Sequence, residues 1–252
     1  MDRQAVSLPK PYYQDESVTL YNAPCDDVLP SLAGVDLVFT SPPYNLSGDG
    51  HKMGGDEFTA LDGGYATYSD DRPHAEYVAW QHEIVMGCWN ALTDAGAIFY
   101  NHKPIVRGNI ARLPLELIPA PLTVRQVIVW DRGSGFNRNP AHFVPVHEWI
   151  LLVAKESFRI TTRSVDDVWR VPFENGKKNT HPAPFPTRLP SLAIGATSAQ
   201  VVLDPFAGSG STLVAAKRLG RKAIGIELDE RYCEMAAKRL DQGVLDFGEA
   251  AE

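Results

Sequence analysis

An α/β domain, doubly wound around a mostly parallel sheet, is the fold class that the sequence predicts, and three observations predict it. Short, β-branched and nearly continuous apolar runs recur along the 252 residues, the mark of strands covered on both faces. Stretches with helical spacing lie between them. Near the C-terminus a glycine-rich turn joins one such run to a helix, and an acidic residue closes the next run.

The runs are 18–21 (VTLY), 35–39 (VDLVF), 96–101 (GAIFYN), 124–130 (VRQVIVW), 148–154 (EWILLVA), 200–203 (QVVL) and 222–226 (KAIGI), a seven-stranded set. Residues 73–93 open on a proline suited to a first helical turn and place Tyr77, Trp80, Ile84, Val85, Cys88 and Trp89 on one helical face. The aromatic stripe of 77, 80 and 89 is read as core. Shorter helices are expected at 210–219 and 229–241. Residues 45–72, with six glycines, form a long loop, and 131–146 a second one carrying Arg132 and Arg138. There is no internal repeat, so one domain over 1–252 is expected.

Composition narrows the function classes. A hydrophobic content of 44% and a charged content of 22% are ordinary for a globular protein. No apolar run reaches the roughly 20 residues of a membrane helix, and the polar N-terminus lacks a signal-peptide core; a cytoplasmic protein is expected. Cys25, Cys88 and Cys233 are scattered and in no CxxC pair, which argues against a disulfide framework or a metal site. The net charge is −7, yet residues 101–188 carry 13 basic and 7 acidic side chains. That local excess can build a positive face, while the acidic remainder predicts weak non-specific binding to nucleic acid.

Two short stretches carry chemistry. In DPFAGSGST (204–212), Gly208 and Gly210 permit a sharp turn and close approach of a ligand. Glu227 sits roughly 20 residues on, where an acid accepts from ribose hydroxyls. A phosphate-binding P-loop needs a lysine that this turn lacks, and a dinucleotide fold wants a third small residue where Leu213 stands. A nucleoside ligand without pyrophosphate, such as S-adenosylmethionine, fits better, with Asp204 facing its ammonium group. An ordinary βαβ turn explains the glycines but not the whole string. The second stretch is Thr40-Ser41-Pro42-Pro43-Tyr44-Asn45, where the strand run 35–39 stops at two prolines and an aromatic ring.

Together, TSPPYN and DPFAGSGST resemble the DNA amino-methyltransferases that modify N4 of cytosine or N6 of adenine, and their order along the chain resembles the circularly permuted β group. HPAPFP (181–186), GAIFYNHKP, VIVWDRG, HEWILLVAK and IGIELDERYCEMAAKRL add to the likeness. The resemblance implies a Rossmann-like methyltransferase sheet, S-adenosyl-L-methionine as cofactor and double-stranded DNA as substrate. It implies a catalytic half over about 17–155 and a cofactor half over about 178–242. Ser41, Pro42, Pro43 and Tyr44 become catalytic. Thr40, His181, Phe185, Pro186, Asp204, Pro205, Phe206, Gly208, Ser209, Gly210, Ser211, Thr212 and Glu227 become cofactor-binding. Family members usually carry Gly-Asp where this chain has Ala23-Pro24, so either Asn22, Asp26 or Asp27 takes over the contact with the cofactor's adenine or the contact is lost.

Methyl transfer to an exocyclic amine needs two fixed acceptors that hold the nitrogen by its hydrogens. Ser41 Oγ and the Pro42 carbonyl suit this, since Pro43 stiffens Pro42. Tyr44 offers a ring to a base flipped from its stack. A cysteine-based C5 mechanism at Pro24-Cys25 is disfavoured by the two aspartates that follow. A binding module without turnover is the other class, against which the intact Ser-Pro-Pro-Tyr argues. In the family that the chain resembles, serine in first place is more usual for N4-cytosine enzymes and aspartate for N6-adenine enzymes, so the resemblance implies N4-cytosine, with N6-adenine as the alternative. Asn45, Arg132, Arg138, Lys177 and Lys178, with loops 45–72 and 131–146, are expected to touch DNA. A homodimer and a cognate restriction endonuclease are further expectations.

Overall fold

The computed structural model describes residues 8–45, 72–135, 140–172 and 185–242. Arg138, Lys177, Lys178, His181 and nearly all of loop 45–72 lie outside the described residues. All seven runs are strands. In chain order the strands are β1 (Tyr13–Gln14), β2 (Val18–Asn22), β3 (Val35–Thr40), β4 (Leu92–His102), β5 (Ile105–Arg107), β6 (Ile110–Arg112), β7 (Gln126–Asp131), β8 (His147–Ala154), β9 (Val168–Arg170), β10 (Val201–Asp204) and β11 (Lys222–Glu227). Nine of them form one sheet in the order β1-β2-β11-β10-β3-β4-β8-β7-β9. The expected set of seven is extended at both edges, by β1 and β9, which at two and three residues are too short to register as apolar runs.

The five strands from β2 to β4 run parallel. The β4–β8 and β8–β7 pairs are antiparallel. Helices cover both faces. One face receives α1 (Cys25–Val28) and α2 (His74–Ala91), which bury Val28, Tyr77, Ile84, Val85 and Cys88 with Val38, Ile98 and Leu151. The other receives α3 (Arg188–Gly195), α4 (Ser211–Arg218) and α5 (Glu230–Gln242), whose Leu189, Leu213 and Cys233 pack with Leu37, Phe39 and Phe99. Alternate residues of β3 thus serve opposite layers, as strand geometry requires.

This topology places the two motifs. From β10 the chain crosses through α4 to β11 on one side, and from β3 through α2 to β4 on the other. β10 and β3 are neighbours, with Val202 beside Leu37 and Leu203 beside Val38. Their carboxyl ends open where the winding reverses, the position at which doubly wound sheets bind ligands.

Strand β4 continues into the β5–β6 hairpin, which sequence reading left unassigned. Gly108 and Asn109, at φ 56° and 61°, form its two-residue turn, and a left-handed pair of this kind is the hairpin signal that was available. No helix of the described residues is long and apolar enough to cross a membrane.

Candidate active site

The floor of the site is a fully buried carboxylate. Asp204 ends β10 with 0% exposure. Thr40 Oγ1 donates to its Oδ1 at 2.9 Å, the Phe206 N–H to the same oxygen at 3.1 Å, and Thr212 Oγ1 to its Oδ2 at 2.7 Å. Asp204 therefore ties the end of β3 to the start of α4. In this structure the carboxylate is enclosed and accepts from three of the protein's own donors. Burial pushes its carboxyl up to about 6, against the pull of those hydrogen bonds.

The glycine turn follows. Gly208 and Gly210 both adopt left-handed backbone, at φ 49° and 81°. A Cβ on Gly210 would stand 2.9 Å from the Ala236 Cβ, so this glycine admits the close approach of α5. Arg239 of α5 donates to Ser209 O at 2.6 Å and to Ser209 Oγ at 2.9 Å, and also reaches Ser211 Oγ and Thr187 Oγ1. Ser209, Ser211 and Thr212 are thus engaged in holding the turn. Pro205 is buried and Phe206 half-buried. Phe185 lies 5.6 Å from the ring of Phe39 and Pro186 is buried beside it in sequence, which brings the 185–186 segment to the end of β3.

Glu227 ends β11 next to the turn. Its Oε2 accepts the Gly208 N–H and its Oε1 the Asp229 N–H, each at 2.8 Å. Burial pushes Glu227 up to about 7 despite these donors. Asp204 and Glu227 both rise above their ordinary values of 3.8 and 4.5, so between about pH 4 and 7 the folded state binds more protons than the unfolded chain. The stability that these two groups contribute is therefore fully present below that window and declines as pH rises through it. Glu227→Gln removes one of the two contributions. Its melting temperature, followed by calorimetry, is expected to vary less steeply between about pH 4.5 and 7 than that of the wild type; an unchanged slope would refute this origin.

Near the expected adenine end, Asn22 Nδ2 is held by the carbonyls of Glu227 and Leu228. Trp80, read as core, is half-buried and sits edge-on to Phe206 at 5.6 Å. Asp26 accepts from Trp80, and burial raises its carboxyl. Cys25, the rival nucleophile, is inert: burial and Asp26 push its thiol up to about 12.

The Ser41–Tyr44 tip stands on the other side of Thr40. Tyr77 donates from its hydroxyl to the Pro43 carbonyl at 2.7 Å and lies 2.9 Å from His102 Nε2. Burial pulls His102 down to about 4, so it is neutral at physiological pH. The Tyr44 ring rests against His102 with centroids 4.6 Å apart. Its hydroxyl turns inward to Ser41 Oγ at 2.7 Å and donates to Glu148 Oε2 at 2.8 Å. Asn101 Nδ2 donates to the Tyr44 hydroxyl at 2.8 Å and to Glu148 Oε2 at 2.9 Å. Sequence reading did not single out Asn101, His102 or Glu148, which sit inside strand runs. Lys103 stands next to them, its ammonium pushed down by burial and by Arg132 and raised by Glu148.

Two expected DNA contacts are turned inward. Arg132 pairs with Glu148 at 3.3 Å and donates to the Pro145 carbonyl, with 15% side-chain exposure, so it anchors the β7–β8 loop instead of reaching for phosphate. Asn45 is 3% exposed and left-handed at φ 54°. Its Nδ2 donates to the Arg72 carbonyl at 2.8 Å, and its own carbonyl accepts from Arg107 at 2.9 Å. It closes the stem of the 46–71 segment. Among its described residues the β7–β8 loop presents apolar side chains outward: Phe143 is 98% exposed, with Val144 and Val146 beside it.

Comparison with known proteins agrees with this arrangement. The N6/N4 DNA methylase family model matches residues 35–238, most of the 252-residue chain. The type II methyltransferase M.ScaI of Streptomyces caespitosus is 27% identical, over 93% of this chain and 85% of its own. M2.MboI of Moraxella bovis is 26% identical, over 92% of each. The solved PvuII DNA methyltransferase (cytosine-N4-specific) superposes with a TM-score of 0.72 at 18% identity, covering 96% of this chain and 91% of that one. M1.HpyAVI, solved as its SAM complex, gives 0.59 at 20%, covering 89% and 99%. A buried aspartate joining a Ser-Pro-Pro-Tyr tip to a glycine turn at the reversal point of the sheet is where the family's two motifs have to meet, and the chain belongs to the N6/N4 DNA methylase family.

Proposed function

We propose that the chain methylates the exocyclic amino group of a base flipped out of double-stranded DNA, N4 of cytosine in preference to N6 of adenine. The single observation that carries the reading is the Thr40–Asp204–Thr212 linkage, which fixes an acceptor-bearing tip beside a nucleoside-type turn. The methyl donor is S-adenosylmethionine. The donor set suits it: Glu227 for the ribose hydroxyls, no lysine in the turn for a phosphate, and the Trp80–Phe206 edge for the adenine. Phe185, Pro186 and His181 close over the methionine end. Bound S-adenosylmethionine would supply the methyl group: the amine nitrogen would bond to the methyl carbon as the carbon–sulfur bond breaks, the thioether would leave with the electron pair, and the amine proton would pass to solvent.

Ser41 Oγ and the Pro42 carbonyl hold the amine, and Tyr44 receives the base on the side of its ring away from His102. The preference for cytosine rests on Ser41 at the head of the tetrad. Around the tip, loops 45–72 and 131–146 read the sequence, with Phe143 as an apolar contact and Arg138, Lys177 and Lys178 on phosphates. A second copy of the chain completes a short symmetric site, which light scattering of the DNA complex would count, and a cognate restriction endonuclease recognises the same sequence. Mass spectrometry of nucleosides from DNA treated with the protein and S-adenosylmethionine is expected to yield N4-methylcytosine. Finding N6-methyladenine alone would overturn the choice of base.

A further inference from the structure

The tip contains a hydrogen-bond chain whose direction is set from one end. Glu148 is 5% exposed and Asn101 0% exposed. A carboxylate paired with arginine has no hydrogen to give, and Glu148 Oε1 faces Arg132 at 3.3 Å. Its Oε2, at 2.8 Å, takes the only hydroxyl hydrogen of Tyr44. The Tyr44 oxygen is then left with lone pairs alone. It accepts from Asn101 Nδ2 at 2.8 Å and, at 2.7 Å, from Ser41. Ser41 also has one hydrogen, and this geometry commits it to Tyr44.

We propose that Glu148, a strand residue 104 positions from Tyr44 in sequence, is a positioning residue that makes Ser41 an obligate acceptor toward the target amine. This rests on the amino-methylation reading above. A serine hydroxyl free to rotate would present its hydrogen to the amine part of the time. That rotamer repels the amine hydrogens and turns the nitrogen lone pair away from the sulfonium. With Glu148 at the end of the chain, the order Ser41 → Tyr44 → Glu148 commits the Ser41 hydrogen inward; one lone pair accepts from Asn101 at 3.2 Å and the other is left for the amine. Asn101 supports the order, because its amide faces three acceptors together: the Tyr44 hydroxyl, Glu148 Oε2 and, at 3.2 Å, Ser41 Oγ. The Tyr44 hydroxyl therefore has a task separate from that of its ring.

Single-turnover methylation of a DNA duplex with saturating S-adenosylmethionine tests this, alongside equilibrium binding of each. Tyr44→Phe keeps the ring and removes the link. It is expected to slow the methyl-transfer rate about 10- to 100-fold, a typical cost of misaligned reacting groups, with cofactor and DNA dissociation constants within about twofold of wild type. Glu148→Gln, whose amide can donate to Tyr44 and reverse the chain, is expected to slow the rate similarly. The double variant should be no slower than Tyr44→Phe alone, since both act through one link. In a Ser41→Ala background Glu148→Gln should have no further effect. Tyr44→Phe at wild-type rate, or losses that multiply in the Ser41→Ala background, would overturn the proposal. A wild-type protein that transfers no methyl group to DNA would instead sink the functional reading itself.

Discussion

Asp204→Ala is expected to lose S-adenosylmethionine binding and to melt roughly 10 °C below the wild type. The substitution strands the hydroxyls of Thr40 and Thr212 and the N–H of Phe206 in a site with no exposure. Each buried group left without a partner costs about 1–3 kcal/mol, although Thr212 can fall back on the Phe39 carbonyl at 3.4 Å. A net loss of about 3 kcal/mol moves the midpoint by about 6–12 °C in a chain of this size. Cofactor binding is lost by a different route from the one the sequence suggests. The turn bearing Gly208 is no longer clamped to the end of β3, so the two walls of the crevice lose their register. Asp204→Asn keeps one acceptor oxygen and should recover part of the stability. A calorimetric midpoint within 2 °C of wild type for Asp204→Ala, with normal titration of the cofactor, would contradict the clamp.

Gly210→Val carries the second large effect, and two independent penalties add. At φ 81° a residue with a Cβ sits in left-handed backbone, which costs about 1–2 kcal/mol and more for a β-branched side chain. The new atoms also meet Ala236 of α5 at 2.9 Å, and overpacking a close-packed contact costs about 1–3 kcal/mol. The combined loss of about 3 kcal/mol or more should appear as a lower midpoint in chemical denaturation. Gly210→Ala should show a smaller loss of the same origin. Relief by Ala236→Gly, which removes the opposing Cβ, would separate the contact from the backbone term; no relief would place the whole cost on the backbone.

What the sequence made legible follows from what is local. Each of the seven apolar runs is a strand and each of the three helical patterns a helix, because periodicity and β-branching act within a few residues. Helix α3 went unread: Pro190 stands inside its first turn, where a proline is tolerated. The motifs announced the site, but not how it is held. Glu148 reads as the first residue of EWILLVA and gives no local hint of Tyr44. Asp204 has a ligand-facing look in sequence, and only the fold brings Thr40 and Thr212 to it. The basic excess of 101–188 is countable, yet Arg107, Arg125, Arg132 and Arg159 donate to backbone carbonyls. Formal charge is a property of composition; the direction of a guanidinium is a property of the fold.

The stem closed by Asn45 and Arg72 separates two kinds of evolutionary constraint. Both ends of the intervening segment are tied at one buried amide, immediately beyond Tyr44. Chain inserted, deleted or exchanged between them is anchored at fixed points and costs little in closure entropy as its length changes. Under the proposed function, in which the segment between Asn45 and Arg72 contacts DNA, this anchoring would insulate the chemistry from the choice of target. On that reading a lineage would acquire a new target by replacing what lies beyond the stem, while the hydrogen bonds of Ser41, Tyr44 and Glu148 stay in place.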